Sequence, residues 1–227
     1  MVRMAIKAQR TDRRADALSK QRIVEAAIEI LDAGGEGALT FRALATRLAT
    51  GSGAIYWHVA NKSELLAAAA DDVIARVVTD AVGDADPREA IRTLALGVFD
   101  AIDAHPWVGA QLSRERPWES AMLQILERVG QRLQALGVPE YAQFDSVSAL
   151  VSYVFGAAGQ NAANARLLTP GTDRSAILAS VAARWTELDR AKFPFIRQVA
   201  TQMREHDDRE QFLVGIDLIL AGIEALP

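Results

Sequence analysis

Few residues in this 227-residue chain have the types and spacing that catalysis or metal binding requires. The three histidines, His58, His105 and His206, are scattered, and there is no cysteine. Protein metal sites recur to His, Cys or carboxylate ligands at short spacing, yet the positions three and four residues from His58 hold Ala54, Ile55, Asn61 and Lys62. The signatures GxSxG, HExxH, GxxxxGK[ST] and GxGxxG are absent. No catalytic residue, no metal and no cofactor is therefore expected. The residues that stand out are of another kind. Tyr56-Trp57-His58 form a polar-aromatic run, with Thr40, Arg42, Ser52 and Lys62 nearby in sequence. Of these, Thr40 and Arg42, at a helix start, and Lys62 are placed for a phosphate.

The stretch that must hold them is Thr40–Lys62, TFRALATRLATGSGAIYWHVANK. Leu44 and Leu48, with Phe41 and Ala45 beside them, give one apolar helical face over residues 40–48. Ala49-Thr50-Gly51-Ser52-Gly53 breaks that helix. Thr50 or Ser52 is read as the cap of a second, short helix over about 51–59. Ile55 and Val59 point inward, so Ala54, Tyr56, Trp57 and His58 cannot all be buried with them. A helix that short is marginal alone, and exposing Tyr-Trp-His on it is costly for a purely structural element. Helix, small residue, glycine turn and short aromatic helix is the anatomy of a helix-turn-helix, whose second helix enters the DNA major groove. A plain helical hairpin remains the alternative on these residues alone.

Ile55-Tyr56-Trp57-His58-Val59-x-Asn61-Lys62, followed by Glu64-Leu65-Leu66, resembles the signature of the tetracycline-repressor (TetR) family. Ile23 to Leu31, Gly34-x-x-Gly37, Leu39-Thr40 and Leu44-Ala45-x-x-Leu48 match the same family upstream, so the resemblance covers roughly residues 19–70. It implies DNA contacts from Thr40, Arg42, Ser52, Gly53, Ala54, Tyr56, Trp57, His58 and Lys62. Ala49 stands where the family usually has the turn glycine, with Gly51 as its substitute. Gly53 and Ala54 replace larger side chains. No Lys or Arg lies between Gly51 and Val59, so the strongest reader of guanine is missing there, and Arg42 is the expected base contact.

Net charge is −4, but it is uneven. Residues 1–62 hold ten Lys/Arg against six Asp/Glu; the remainder holds 15 against 23. A basic front suits a polyanionic partner. Residues 1–18 read as a mobile basic arm, 19–66 as a helix-turn-helix domain and 67–227 as a larger helical domain. No signal peptide and no membrane span is read, and the cysteine-free composition fits a cytoplasmic protein.

Beyond Pro87 the pattern is helical throughout, with stretches at 88–104, 107–112, 119–136, 144–166, 174–189, 195–204 and 208–226. No β-alternation appears, so the fold class is all-α. The 144–166 and 208–226 stretches are apolar on more than one side and need a second packing partner. The family resemblance implies that they form a four-helix bundle with a second subunit. A homodimer would then set two reading helices about one DNA turn apart, roughly 34–36 Å. The resemblance also implies a small-molecule effector pocket, for which Phe99, Trp107, Trp118, Met122, Phe155, Asn161 and Asn164 are candidates. The expected function is a DNA-binding repressor released from a palindromic double-stranded DNA operator by a small molecule. The alternative is a helical ligand-binding or scaffold protein that has lost DNA binding.

Overall fold

The computed structural model describes residues 18–80, 86–112, 114, 120–166 and 173–227. These form eleven helices and no strand: α1 (Lys20–Ala38), α2 (Phe41–Arg47), α3 (Ser52–Tyr56), α4 (Lys62–Asp80), α5 (Pro87–Ala104), α6 (Pro106–Leu112), α7 (Ser120–Ala135), α8 (Glu140–Arg166), α9 (Arg174–Glu187), α10 (Pro194–Arg204) and α11 (Asp208–Glu224). The all-α class read from the residue pattern is the class observed. Nearly all of the basic arm, and Trp118, lie outside the described residues.

Two compact units result. The front unit takes the chain up to Asp80 and also Ala104–Ile125; the back unit takes Ala81–Asp103 and Leu126 onward. The boundary drawn at residue 66 lies inside α4, which runs unbroken to Asp80.

In the front unit, Ser19 caps α1 by accepting from the Arg22 amide at 3.3 Å. Ile23, Ala27 and Leu31 are buried along its inner face. The three-glycine stretch ends the straight part of α1: Gly35 has φ 67° and ψ −172°, a conformation glycine adopts without a Cβ penalty. Asn61 opens α4 by accepting from the Glu64 amide at 2.9 Å, while Glu64 accepts from the Ala60 amide at 2.8 Å. That reciprocal cap, first through the Ala60 amide, holds the Glu64 carboxyl below its ordinary range. Leu65, Ala69, Val73 and Ile74 of α4 are buried, and α4 packs on α1, with α6 against both. Asp32, near the end of α1, fixes α6: one of its oxygens accepts from Trp107 Nε1–H at 2.8 Å and lies 2.8 Å from His105 Nδ1.

In the back unit, the turn after α7 is made at Gly137, with φ 78° and its amide bonded to the Gln134 carbonyl. The next helix, α8, starts at Glu140, four residues before the expected Phe144. Pro139 explains the early start: its fixed φ suits a first turn, and its carbonyl accepts from the Ala142 amide at 2.9 Å. The last helix, α11, is capped by Asp207, whose carboxylate accepts from the Glu210 amide at 2.8 Å, and packs on α8. Phe212, Ile216, Leu220 and Ile223 line its buried face. Arg88 reaches Glu224 at 2.7 Å and Asp217 at 3.2 Å, and Arg92 also pairs with Asp217. These pairs fasten α5 to α11. The two helices α9 and α10 pack on each other as a hairpin.

Candidate nucleic-acid interface and ligand cleft

The helix-turn-helix is built from its buried residues outward. Leu44, Ile55 and Val59 are each 1% exposed or less and anchor α2 and α3. Thr40 caps α2, accepting from the Ala43 amide at 3.0 Å. After Leu48 the chain reverses at Ala49, not at a glycine. Ala49 itself takes φ 49°, whereas Gly51 is extended at φ −86°. Gly51 therefore does not stand in for the missing turn glycine. Neither Thr50 nor Ser52 caps α3 with its side chain; Gly51 occupies the N-cap and α3 spans only Ser52–Tyr56. The expected 51–59 helix is shortened because Trp57 and His58 leave helical pairing in a turn, where the His58 and Val59 amides both bond to the Ile55 carbonyl.

What remains outside is the aromatic tip. Trp57 is 89% exposed and Tyr56 55%. Tyr56 is not loose: its ring stacks on Phe41 with centroids 4.3 Å apart and planes 6° apart, which ties the start of α2 to the end of α3. Arg42, Gly53 and Thr40 are exposed, and Ser52, Ala54, His58 and Lys62 are half-buried. Arg47 is paired with Glu29, while the Arg42 guanidinium has no partner among the described residues. The Lys62 ammonium donates to the Glu36 carbonyl, which fixes α4 to the end of α1 and leaves two of its three donors for a phosphate. Of the nine residues named for DNA contact, Thr40 caps α2 and Arg42 lies in it, Ser52, Gly53, Ala54 and Tyr56 belong to α3, Trp57 and His58 to the turn after it, and Lys62 opens α4, all in one unit.

The six pocket candidates among the described residues are not all brought together. Phe99, Asn161 and Asn164 line one cleft of about 270 Å³ in the back unit. Trp107 is instead buried in the front unit, donating to Asp32. Met122 and Phe155 are half-buried without lining this cleft. The cleft's remaining wall includes Tyr153, Ala157, Gln160, Met203, His206, Asp208, Gln211 and Phe212. The α8 members, 153, 157, 160, 161 and 164, follow helical spacing and share one face. That periodicity is legible in the sequence, although the pocket reading passed over Tyr153 and Gln160.

On the same unit, Tyr141, Phe144, Val214 and Leu218 are 57–75% exposed. A groove of about 630 Å³ runs between α8 and α11 past Ser152, Gly156, Val214, Gly215 and Leu218. Tyr153, Ala157, Gln160 and Gln211 line both the groove and the cleft. The Tyr153 hydroxyl donates to the Phe212 carbonyl at 3.2 Å and fills the notch where a Cβ on Gly215 would lie. Burial raises the Tyr153 phenol above its ordinary value.

Residues 23–69 match the family described as bacterial regulatory proteins, tetR family, and residues 81–226 match the tetracyclin repressor-like C-terminal domain. The chain is 52% identical to SCO7222, a TetR transcriptional regulator of Streptomyces coelicolor, over 92% of this chain and 99% of that one, with a TM-score of 0.85. ActR of the same organism, solved in complex with actinorhodin, is 25% identical over 92% and 96% of the two chains, with a TM-score of 0.76. The transcriptional repressor DrrR1 of Streptomyces coeruleorubidus is 29% identical over 214 residues, 92% of this chain and 78% of the relative.

Proposed function

We infer how the work is divided from one premise: this chain belongs to the TetR family of bacterial regulatory proteins, and is a DNA-binding transcriptional repressor with a ligand-binding C-terminal domain. It binds an operator, pairs with a second copy and responds to a small molecule. Among the described residues no helix is long and apolar enough to cross a membrane, and the reading places the protein in the cytoplasm without a catalytic role.

At the front, the observation that carries the reading is Trp57, 89% exposed beside the stacked Tyr56. Leaving that much indole in water is unfavourable in the free protein, and a sugar-phosphate wall that receives it recovers the loss. Arg42 reads the base edge, and Thr40, Tyr56, His58 and Lys62 hold phosphates. Ser52, Gly53 and Ala54 bring the start of α3 close to the groove floor, with the Ala54 methyl available to a thymine methyl.

At the back, the α8–α11 face pairs two subunits through Phe144, Val214 and Leu218. The effector enters the cleft bearing Phe99, Asn161 and Asn164. Because Tyr153 is a wall of both the cleft and the pairing groove, an occupant on one side bears on the other. It favours release only in so far as it binds the released arrangement better than the DNA-bound one. In ActR the bound molecule is actinorhodin.

Selection of bound duplexes from a random pool tests the reading. A palindromic consensus with half-sites one helical turn apart is the expected result, with affinity falling steeply as salt rises. An enriched pool without twofold symmetry counts against paired reading, and no enrichment at low salt returns the chain to the scaffold alternative.

A further inference from the structure

The groups lining the back-unit cleft define what it accepts. Three of its aromatic rings stand in one stack: Phe99 lies 4.5 Å from Phe212 at 28°, and Tyr153 lies 5.6 Å from Phe212 at 12°. All three border the cleft; Phe212 lies between the other two and is, like Phe99, buried, so the stack presents ring edges to the face of a flat guest. Among the described lining residues there is no lysine or arginine, and Asp208 is the one carboxylate. Both Asp208 oxygens are engaged, one by Arg174 and the other 2.8 Å from His206 Nε2. Among its described residues the wall therefore has no uncommitted charge for an ionic ligand.

The rest of the wall is made of amides. Asn161 spends its NH2 on Asp103 at 2.8 Å, leaving its carbonyl to accept. The side chains of Gln160, Asn164 and Gln211 have no protein partner among the described residues, so each keeps a donor and an acceptor for a guest. The Tyr153 hydroxyl donates to the α11 backbone, leaving its oxygen able to accept. At about 270 Å³ the cleft sits at the small end of ligand pockets. We propose that it takes an uncharged, flat, hydroxylated aromatic molecule of about two fused rings, its faces against Phe99, Phe212 and Tyr153 and its hydroxyls on the amides. This names the effector class for the ligand-responsive regulator argued above and rests on that reading.

Calorimetric titration of the full chain with three probes decides it. Naphthalene-1,5-diol has the flat ring and neutral hydroxyls, 1-naphthoate adds a charge, and decalin-1,5-diol keeps the hydroxyls but loses the ring. The diol is expected to saturate at one per chain and to bind at least about tenfold tighter than either of the others, since a charge left unpaired in the cleft is penalised. Gln160 and Asn164 are exposed on the rim, so Gln160→Leu and Asn164→Leu leave the fold intact and should each weaken the diol about fivefold or more. Equal binding of naphthoate or of the decalin, no saturable diol binding, or diol binding untouched by both substitutions overturns the assignment. Operator retention is read separately on duplexes selected from the pool. If the diol meets all the cleft criteria while the operator complex is unmoved, the ligand class stands and the induction reading fails.

Discussion

Two helices of this chain hold large apolar side chains out to water, and they do so in opposite ways. The reading helix α3 has five residues, no side-chain cap and an exposed indole at its end. The pairing helix α11 has 17 residues, an Asp207 cap and four ion pairs to α5, with Val214 and Leu218 exposed along one side. The first exposes aromatic surface near an arginine, Arg42, that has no partner among the described residues, and would be marginal if cut from its neighbours. The second exposes aliphatic surface beside glycines on a rigid frame. An aromatic-cationic tip suits a polyanion whose contacts are mostly polar. An aliphatic strip on a straight helix suits a like strip, where packing does the work. Exposure alone does not identify a partner; the neighbours of the exposed group do.

The largest effect should follow from putting a charge on the aliphatic side. Leu218→Asp would set two carboxylates facing across a twofold axis, a juxtaposition costing several kcal/mol. Leu218 is 70% exposed in the single subunit, so the chain should still fold. Sedimentation should show a monomer with unchanged helical content, and operator affinity should fall by about a hundredfold or more. A dimer that survives this change removes α11 from the interface and with it the contrast drawn here.

On the aromatic side, Arg42→Ala and Trp57→Ala should each weaken operator binding by about 10- to 100-fold, equivalent to roughly 1–3 kcal/mol. Both side chains are exposed, so thermal stability should move by no more than about 0.5 kcal/mol. The two should differ in kind. Arg42→Ala relaxes preference at one base pair, while Trp57→Ala weakens all sequences alike. Binding titrations on the selected operator and on single-base variants separate them. If Trp57→Ala instead unfolds the front unit, the indole is structural after all.

Gly215 tests whether the cleft and the pairing face are mechanically joined. A methyl there would overlap the Tyr153 hydroxyl and ring carbon, so Gly215→Ala must push the ring toward the cleft or the groove, costing about 1–3 kcal/mol. Chemical denaturation measures that cost. A neutral substitution would mean that Tyr153 swings freely and transmits nothing.

Much of this division was legible beforehand, and the failures have physical causes. Helix caps at Ser19, Thr40, Asn61, Asp173 and Asp207 are short polar side chains placed before apolar periodicity, and each accepts an amide of the first turn, although the pattern alone does not choose Asn61 over Ser63 or Asp207 over Asp208. The exposed Tyr56-Trp57 tip followed from Ile55 and Val59 claiming the inner face. What the residue pattern could not give is which of several aromatic residues share a space. Trp107 was grouped with Phe99 as pocket wall, but its indole N–H is satisfied by Asp32, 75 residues earlier. A long-range hydrogen bond leaves no periodic trace. The cleft's own α8 residues do leave one, at 153, 157, 160, 161 and 164, but it is interleaved with the apolar stripe of the same helix, and a face of mixed Tyr, Ala, Gln and Asn has weak hydrophobic contrast.

Acid should loosen the pairing helix through a group of known sign. Asp217 is held below the ordinary carboxylate range, chiefly by the hydrogen bond from Arg92 and then by Arg88. A folded-state value lower than the unfolded one means the stabilisation is complete above the unfolded carboxylate range and is lost as pH falls through the depressed value. Asp217→Asn should therefore be less stable than the parent at neutral pH, and the gap should close as the solution is acidified below about pH 4. Because the side chain is partly solvated, the gap should be modest. Denaturation midpoints at pH 7, 4 and 3 measure it, and a gap that widens in acid reverses the sign argued here.

The smallest effect belongs to the turn before the reading helix. Ala49 sits at φ 49°, where a Cβ crowds the following carbonyl at a cost of roughly 1–2 kcal/mol. Glycine would remove that strain but add about 0.5–1 kcal/mol of unfolded-chain entropy. Ala49→Gly should thus stabilise the front unit by about 0.5–1 kcal/mol, raising its melting temperature by a few degrees. It leaves every proposed DNA contact in place, so any change in operator affinity can come only from the freedom of α3. If binding weakens while stability rises, the strained alanine is holding the short helix in its reading pose, and the tip depends on a rigid turn as the pairing face depends on its ion pairs. If both are unchanged, the strain is absorbed elsewhere in the turn and the two regions differ in this respect too.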